Sequence, residues 1–319
     1  MHISLIISKI NFVWILKNMN KIGFIGVGNM GNPMARNLLE AGFPVVVHDL
    51  RPASAENLIK KGAKWAESPE VVAHQTDAVI TMLPNPAAVE SVLLGEKGLL
   101  KSLSPNSTWI DCTTNSPTSF QRIAEEAISV GVKVLEAPVT NAVDGAERGE
   151  LIFFVGGELE VFEQAKPILE PMAEQIFYAG GLGTGNITKL ITNMLWFVNA
   201  CAIGEALVIG AKAGIPLPNL SEMIQASAGN SWVAEHDIPS IFAGHYDPSF
   251  TIKLCVKDLR LIDELAQKYN VPLMMGNQAR SIFQSAQAKY GHDKGEMSVV
   301  KLLEDIVGVS LQINQVSKD

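Results

Sequence analysis

A glycine-rich turn between two apolar runs constrains the fold more than any other feature of this chain. Residues 21–50, KIGFIGVGNMGNPMARNLLEAGFPVVVHDL, alternate an apolar run, the turn, a helical pattern and a second apolar run. Gly26, Gly28 and Gly31 have the G-x-G-x-x-G spacing of a dinucleotide-binding unit. There the first glycine permits a tight turn, the second lets a pyrophosphate approach, and the third lets the helix pack close to the strand. Amide groups at the helix start then receive the phosphates.

An acid ends the second apolar run. Asp49 lies 18 residues beyond Gly31, where a carboxylate accepts a hydrogen bond from a ribose 2′-hydroxyl and repels a 2′-phosphate. Leu50 supplies no cation, although Arg51 follows it directly. The pattern favours NAD over NADP. The alternative is an ordinary α/β protein that uses the glycines only as a turn.

Composition excludes several classes of protein. The 319 residues predict one or two domains, and the net charge of −8 disfavours a nucleic-acid partner. The three cysteines form no C-x-x-C motif, which predicts reduced thiols in a cytoplasmic protein. The six histidines are scattered without an H-x-x-x-H spacing, so no metal site is expected. The chain also has no G-x-S-x-G motif of a hydrolase.

The first 18 residues form an apolar segment, interrupted by Lys9 and Asn11. The segment has neither the early positive region nor the cleavage site of a signal peptide. We interpret it as a dispensable extension of uncertain role. A membrane or export function and an additional ordered element are the alternatives. No stretch of about 20 apolar residues follows the glycine turn, so we expect no membrane span in the rest of the chain.

The two halves of the chain have different patterns. Strand and helix patterns alternate as far as Gly157, which predicts an α/β domain with a doubly wound parallel sheet of the Rossmann type. From Ile187 to Ala213 the chain is apolar almost throughout, and only helical patterns follow. We therefore predict a cofactor-binding domain at 19–182 and an all-helical substrate and oligomerisation domain at 183–319. A helix that is apolar on most sides must be buried or packed against another subunit.

The segment GTGNITKLITN, residues 183–193, places polar groups at the start of the long helix. Lys189 falls in its first two turns, and Asn193 follows four residues later on the same face. The positive end of the helix should lower the pKa of this lysine toward neutrality. A lysine of that kind exchanges a proton with an alcohol oxygen. A surface lysine and a buried structural asparagine explain the spacing equally well.

Other polar groups follow predicted strands. The segment EAPVTNAVDGAERGEL, residues 136–151, offers Thr140 and Asn141 to a substrate carboxylate, although a turn and a helix start explain it equally well. The loops at 83–86 and 112–117 also lie after strands, where α/β sheets bind ligands. A late cluster at 250–258 contains Lys257, which either bonds a ligand or pairs with nearby acids.

Four segments together resemble the β-hydroxyacid dehydrogenase family, of the 3-hydroxyisobutyrate dehydrogenase type. They are GVGNMGNPMARNLLEAG, APVTNAVDGAERGEL, GTGNITKLITN and FTIKLCVKDL, in the family's order and spacing. The resemblance covers residues 19 to about 311. It makes Lys189 the match of the family's catalytic lysine and Asn193 the match of its partner asparagine.

The same resemblance implies two sets of ligand-binding residues. Those matching cofactor contacts are Gly26, Val27, Gly28, Asn29, Met30, Gly31, Asp49, Leu50, Leu83, Pro84, Thr114 and Lys257. Those matching substrate contacts are Thr140, Asn141, Ala142, Trp232 and Asp258.

Two segments depart from the family pattern. The usual P-V-S-G-G loop reads P-V-T-N-A here, so Asn141 and Ala142 stand where two glycines are usual. This change narrows the pocket, because side chains replace open backbone. The usual pair of asparagines is Thr192 and Asn193. The departures leave hydride transfer in place and leave the substrate open.

The expected activity is NAD-dependent oxidation of a small 3-hydroxy acid to its semialdehyde or keto acid, or the reverse reaction, without a metal. Candidate substrates are 3-hydroxyisobutyrate, serine, and compounds of the glycerate or tartronate-semialdehyde type. The expected assembly is a homodimer or homotetramer, with no nucleic-acid or membrane partner. Two alternatives stay open: a semialdehyde or imine reductase of the same family, and a nucleotide-binding module that has lost catalysis.

Overall fold

A computed structural model of the chain describes residues 21–313. The predicted extension at residues 1–18 therefore lies outside the described residues. The described chain divides into two compact units between Lys189 and Leu190.

The N-terminal unit is built on one nine-stranded sheet. The strands are β1 Ile22–Ile25, β2 Val45–His48, β3 Lys64–Trp65, β4 Ala78–Thr81, β5 Thr108–Asp111, β6 Lys133–Glu136, β7 Val139–Thr140, β8 Leu151–Gly157 and β9 Ala173–Gly180. Strands β3, β2, β1, β4, β5 and β6 lie side by side in that order and are all parallel. Their carboxyl ends therefore meet along one edge of the sheet.

Seven α-helices connect these strands. They are α1 Gly31–Glu40, α2 Glu56–Lys60, α3 Pro69–Gln75, α4 Pro86–Leu94, α5 Pro117–Ser129, α6 Ala142–Arg148 and α7 Leu159–Leu169. Alternate residues of β1 belong to different cores, with Ile22 and Phe24 in one and Ile25 in the other. Apolar cores on both faces confirm the predicted doubly wound α/β fold.

The sheet is mixed, whereas the alternating pattern predicted a parallel one. Strand β8 pairs antiparallel with β7 near its start and with β6 at its end. It also pairs parallel with β9. Only the ten residues 141–150 connect β7 to β8. A parallel crossover needs about a dozen residues or more, so this connection returns the chain in the opposite direction.

The described part of the C-terminal unit is helical, as predicted, apart from an isolated antiparallel bridge between Thr251 and Gly295. Helix α8 (Thr184–Lys212) leads into it, and the helices that follow are α9 Leu217–Gln225, α10 Trp232–His236, α11 Ile238–Ala243, α12 Ile252–Lys268, α13 Met274–Tyr290 and α14 Ser298–Val307. Their shared core includes Phe197, Leu207, Ile241, Leu259 and Phe283. The short helices α10 and α11 have no clear apolar period, which explains why the pattern did not reveal them.

Helix α8 corrects one expectation. Among the described residues it is the one helix long and apolar enough to cross a membrane, judged by length and composition alone. The statement that no such stretch follows the glycine turn is therefore wrong. Its apolar window is 39% buried, and Ile191, Leu195 and Ile209 are exposed.

Candidate active site

The glycine turn between β1 and α1 has the backbone that its spacing predicts. Gly26 has a φ of +90°, and a Cβ there would lie 2.3 Å from the carbonyl oxygen of Met82. A Cβ on Gly31 would lie 1.9 Å from the carbonyl oxygen of Gly26, so the helix start contacts the strand end directly. A Cβ on Gly28 would meet nothing within 4 Å. The surface above Gly28 is thus open to a ligand.

Asp49 holds the glycine turn from the neighbouring strand. Its Oδ2 accepts a hydrogen bond from the Val27 N–H at 3.0 Å, and its Oδ1 accepts one from the Arg51 N–H at 2.9 Å. Arg51 extends into solvent with its Nε 3.9 Å from the same carboxylate, and Leu50 is 94% exposed. Asn29 is exposed and Met30 half-buried at the start of α1. The acid is therefore placed beside the open turn.

The loops after β4 and β5 lie at the same edge of the sheet. The Leu83 N–H donates a hydrogen bond to Oγ1 of Thr113 at 3.0 Å, which joins the two loops. Leu83 and Thr114 are half-buried, and Pro84 is exposed. The structure therefore brings these three predicted cofactor residues to the edge that carries the glycine turn.

Glu136, the last residue of β6, connects this edge to the start of α8. Its Oε1 accepts a hydrogen bond from the Gly185 N–H at 2.8 Å, and its Oε2 accepts one from Nδ2 of Asn186 at 2.5 Å. Burial raises the pKa of Glu136 to about 7, while these donors act to lower it. Three residues after Asn186, Lys189 is only 7% exposed. The helix start that carries Lys189 is thus fixed to the sheet.

A second buried acid extends this network. Asn186 accepts a hydrogen bond on Oδ1 from the Asn115 N–H at 2.8 Å. Asn115 in turn donates to Oδ2 of Asp111 at 3.2 Å, and the Thr81 hydroxyl donates to Oδ1 of Asp111 at 2.8 Å. Burial raises the pKa of Asp111 to about 6.

Sequence reasoning missed the network of Glu136, Asn186, Asn115 and Asp111. A signal for the two acids was present, because Glu136 and Asp111 are charged residues that end strands otherwise rich in apolar residues. The two asparagines carry no such local signal.

The loop after β7 has an unusual backbone. Asn141 and Ala142 have φ values of 89° and 52°. Residues other than glycine rarely adopt this backbone conformation. This backbone fits the two glycines usual in the family pattern. Nδ2 of Asn141 donates a hydrogen bond to the Glu150 carbonyl at 2.8 Å. The Asn141 amide therefore closes its own loop, while Thr140 remains half-buried beside it.

A second group of predicted residues lies in the C-terminal unit. Nδ2 of Asn193 donates a hydrogen bond to Oδ2 of Asp258 at 2.7 Å, and Nζ of Lys257 lies 3.0 Å from Oδ1 of the same carboxylate. Asn193 and Asp258 are both buried. Trp232 is 48% exposed and stacks on His236 with ring centroids 4.3 Å apart.

Two family models match the chain in succession. The NAD-binding domain of 6-phosphogluconate dehydrogenase matches residues 21–180. The model described as NAD-binding of NADP-dependent 3-hydroxyisobutyrate dehydrogenase matches residues 183–303. The two matched regions follow the order of the sheet unit and the helical unit.

Individual relatives agree with these matches. The chain is 38% identical to a 3-hydroxyisobutyrate dehydrogenase of Pseudomonas aeruginosa, over 89% of this chain and 98% of that protein. It is 36% identical to a 2-(hydroxymethyl)glutarate dehydrogenase of Eubacterium barkeri, over 92% of this chain and 98% of that protein. A solved structure of Mycobacterium tuberculosis 3-hydroxyisobutyrate dehydrogenase with L-serine superposes with a TM-score of 0.83 at 32% identity, covering 89% of this chain and 99% of that one.

Proposed function

The chain belongs to the β-hydroxyacid dehydrogenase family, and from that premise we propose that it oxidises a small 3-hydroxy acid with NAD while Lys189 takes the proton. Its relatives are dehydrogenases that act on CH–OH groups, so the chain is an oxidoreductase of that class. The finer assignments below concern the cofactor, the residues and the assembly.

One observation carries the proposal: a nearly buried lysine lies on a helix start that two hydrogen bonds to Glu136 hold at the end of β6. That end belongs to the sheet edge that also carries the open glycine turn. Lysine is rarely buried so far without a partner or a function. A general acid–base group is effective only when its position is fixed in this way.

The glycine turn fits a dinucleotide. Open space above Gly28 admits a pyrophosphate, and the first amides of α1 are placed to receive it. When bound, NAD supplies the hydride acceptor for the oxidation. Asp49 supports NAD over NADP, because a carboxylate beside the turn repels a 2′-phosphate. We assign the ribose and nicotinamide contacts to Leu83, Pro84 and Thr114, with Lys257 as a further contact.

Proton transfer is the task of Lys189. In the oxidation its amine accepts the proton of the 3-hydroxyl, and in the reduction its ammonium returns that proton. The positive charge of the ammonium also stabilises a developing alkoxide. Asn193 lies one helical turn later, and Asp258 fixes the orientation of its amide. We assign to Asn193 the hydrogen bond that holds the substrate oxygen or the lysine amine.

Substrate selection is assigned to the loop after β7 and to the helical unit. The Thr140 hydroxyl, with Asn141 and Ala142 beside it, faces the substrate carboxylate in this proposal. Because one N–H of the Asn141 amide is bonded to Glu150, Asn141 contributes mainly by narrowing the pocket. Trp232 and Asp258 complete the assignment from the substrate domain, which we place at residues 183–319.

The assembly proposed is a homodimer or homotetramer in the cytoplasm. Exposed apolar side chains on α8, such as Ile191, Leu195 and Ile209, support an interface on this helix. Light scattering of the purified protein tests this directly, since a monomer at micromolar concentration contradicts it. Three unpaired cysteines support a reducing compartment.

The experiment that tests the activity is a panel assay followed by NADH absorbance. The panel contains 3-hydroxyisobutyrate, serine, glycerate and 2-(hydroxymethyl)glutarate with NAD and with NADP, and semialdehydes and imines with NADH in reverse. We expect turnover of at least one 3-hydroxy acid, with NAD preferred. Activity confined to imines contradicts the substrate class. Binding of NAD without turnover of any compound favours a nucleotide-binding module.

A further inference from the structure

The C-terminal unit contains a cluster of three acids that are not among the predicted site residues. Asp237 lies between α10 and α11, Asp247 in the loop after α11, and Glu296 just before α14. One carboxylate oxygen from each of the three lies within 4.8 Å of the other two. Asp237 and Glu296 are each only 1% exposed. Three carboxyl groups this close repel one another unless something positive joins them.

Glu296 is the least satisfied member of the acid cluster. Among residues 21–313, neither of its carboxylate oxygens has a hydrogen-bond partner. Burial is the largest cause that raises its pKa, and the backbone of Phe250 and of Glu296 itself lowers it only in part. Buried carboxylates are ordinarily hydrogen-bonded, paired or bound to a metal. Both oxygens therefore point to a missing ligand.

The other two acids also have carboxylate oxygens that can bind the same ligand. Asp237 accepts a hydrogen bond on Oδ2 from Nε1 of Trp196 at 3.0 Å, and Asp247 accepts one on Oδ1 from the Ser249 N–H at 2.9 Å. None of the three acids forms an ion pair within the described part of the chain. Burial raises the pKa of Asp237, while the charge of nearby His236 acts to lower it.

The backbone conformation around the cluster fixes the positions of the acids. Tyr246 and Asp247 both have positive φ values, 53° and 42°, and their carbonyls press against Gly295. A Cβ on Gly295 would lie 2.0 Å from the Asp247 carbonyl oxygen, so only glycine fits there. The Glu296 N–H donates to the Phe250 carbonyl at 3.0 Å, which joins the two loops beside the acids.

We propose that Asp237, Asp247 and Glu296 bind a hard divalent cation of the calcium or magnesium type. All three ligands are carboxylate oxygens, the donors that such cations prefer. Ligands on opposite sides of Ca²⁺ are about 4.6–5.2 Å apart, so three oxygens that all lie within 4.8 Å of one another can share one such ion. The cation joins α10, α11 and the segment before α14, so its role is structural.

The cation also connects to a residue assigned to the substrate. Asp237 directly follows α10, which carries Trp232, and it holds Trp196, whose ring meets that of Trp232 edge-on at 6.5 Å. Loss of the cation therefore loosens the surroundings of Trp232. The cation takes no part in proton transfer, so the proposed cation site can be tested separately from the proposed reaction.

The test uses the full chain after dialysis against a chelator, with CaCl₂ and MgCl₂ as separate probes. We expect one Ca²⁺ per chain by isothermal titration calorimetry, with Kd below about 1 mM. Saturating CaCl₂ should raise the Tm by about 5 °C. Glu296→Gln keeps the shape of the side chain and removes its charge, so this variant should fold and lose both responses.

Asp293→Asn is the matched control, because this exposed acid lies three residues before Glu296 and the change removes the same charge. It should bind Ca²⁺ as the wild type does. If the wild type binds neither Ca²⁺ nor Mg²⁺, the proposal is overturned, and protons neutralise the cluster instead. Equal Ca²⁺ binding by Glu296→Gln overturns it as well, because the ion then lies elsewhere.

Discussion

Two buried glutamates, one in each compact unit, show how surroundings decide what a carboxylate does. Glu136 accepts hydrogen bonds from the Gly185 N–H and from Asn186, whereas Glu296 has neither donor nor ion pair within residues 21–313 and faces Asp247 and Asp237. Burial raises the pKa of Glu136 to about 7 and that of Glu296 to about 10, and the two aspartates add to the second rise.

This difference separates two kinds of function. Around Glu136 every buried acid meets donors, and the network ends at the helix start that carries Lys189. A polar network in which every group is hydrogen-bonded holds its side chains in fixed positions, and catalysis requires such fixed positions. Around Glu296 the acids face one another, an arrangement that either protons or the proposed cation must neutralise. Changes in the first region should alter turnover, and changes in the second should alter the response to cations.

The largest expected effect concerns the pH dependence of stability. The folded chain retains a proton on Glu136 up to about pH 7, whereas the unfolded chain releases it near pH 4.5. This stabilisation is therefore complete below pH 4.5 and lost as the pH rises through 7, a contribution of about 3 kcal/mol. Urea unfolding at pH 5 and pH 8, in chelator, should show a smaller difference for Glu136→Gln than for the wild type.

Glu163→Gln is the control for this measurement, because Glu163 is exposed on α7. It should keep the pH dependence of the wild type. The assignment to Glu136 is wrong if Glu136→Gln also keeps that dependence unchanged.

The next effect is on turnover. Glu136→Gln places an amide N–H₂ opposite one of the two donors at the start of α8, so one hydrogen bond is lost and Lys189 shifts. We expect kcat to fall about tenfold to a hundredfold, while the Kd for NAD stays within about twofold. The positioning role fails if kcat is unchanged, or if kcat and NAD binding fall together as in a misfolded protein.

In the helical unit, Asn193→Ala tests a buried contact. The substitution leaves Oδ2 of Asp258 without its donor at 2.7 Å, which should reduce the free energy of unfolding by about 1.5 kcal/mol. Thr192→Ala, at the half-buried position before it, serves as the comparison variant. Chemical denaturation measures both, and equal stability of Asn193→Ala and the wild type contradicts the assigned hydrogen bond.

The smallest expected effect concerns the choice of cofactor. Asp49→Asn removes the charge beside the glycine turn and keeps the shape of the side chain. Where solvent screens the 2′-phosphate, such a repulsion is worth about 1 kcal/mol, so the preference for NAD over NADP should fall about fivefold. The ratio of kcat/KM values for the two cofactors measures it, and an unchanged ratio shows that Asp49 does not select.

The sequence predicted the parts of the molecule that local patterns encode. The glycine spacing predicted the open turn at Gly28, and the apolar runs on either side of it predicted β1 and β2. The antiparallel course of β8 was not predicted, because its cause is the short connection at 141–150 rather than any residue type. The network at Glu136 was missed because Glu136 and Asn186 lie 50 residues apart.

The acid cluster shows the same limit more strongly. Asp247 lies 10 residues after Asp237, and Glu296 lies 49 residues after Asp247. No spacing motif predicts a site from these three residues. Their meeting depends on two left-handed residues and on Gly295, which lets two backbones touch. A search for histidine and cysteine spacings could not find a site made of scattered carboxylates.

The most direct test of the central claim is the turnover of Lys189→Ala measured together with its Kd for NAD. Lys212→Ala, an exposed lysine at the end of the same helix, is the control. The account predicts that Lys189→Ala binds NAD within about twofold of the wild type and loses about a thousandfold in kcat. A kcat within a few-fold of the wild type, with NAD binding intact, contradicts the role of Lys189 as the proton carrier.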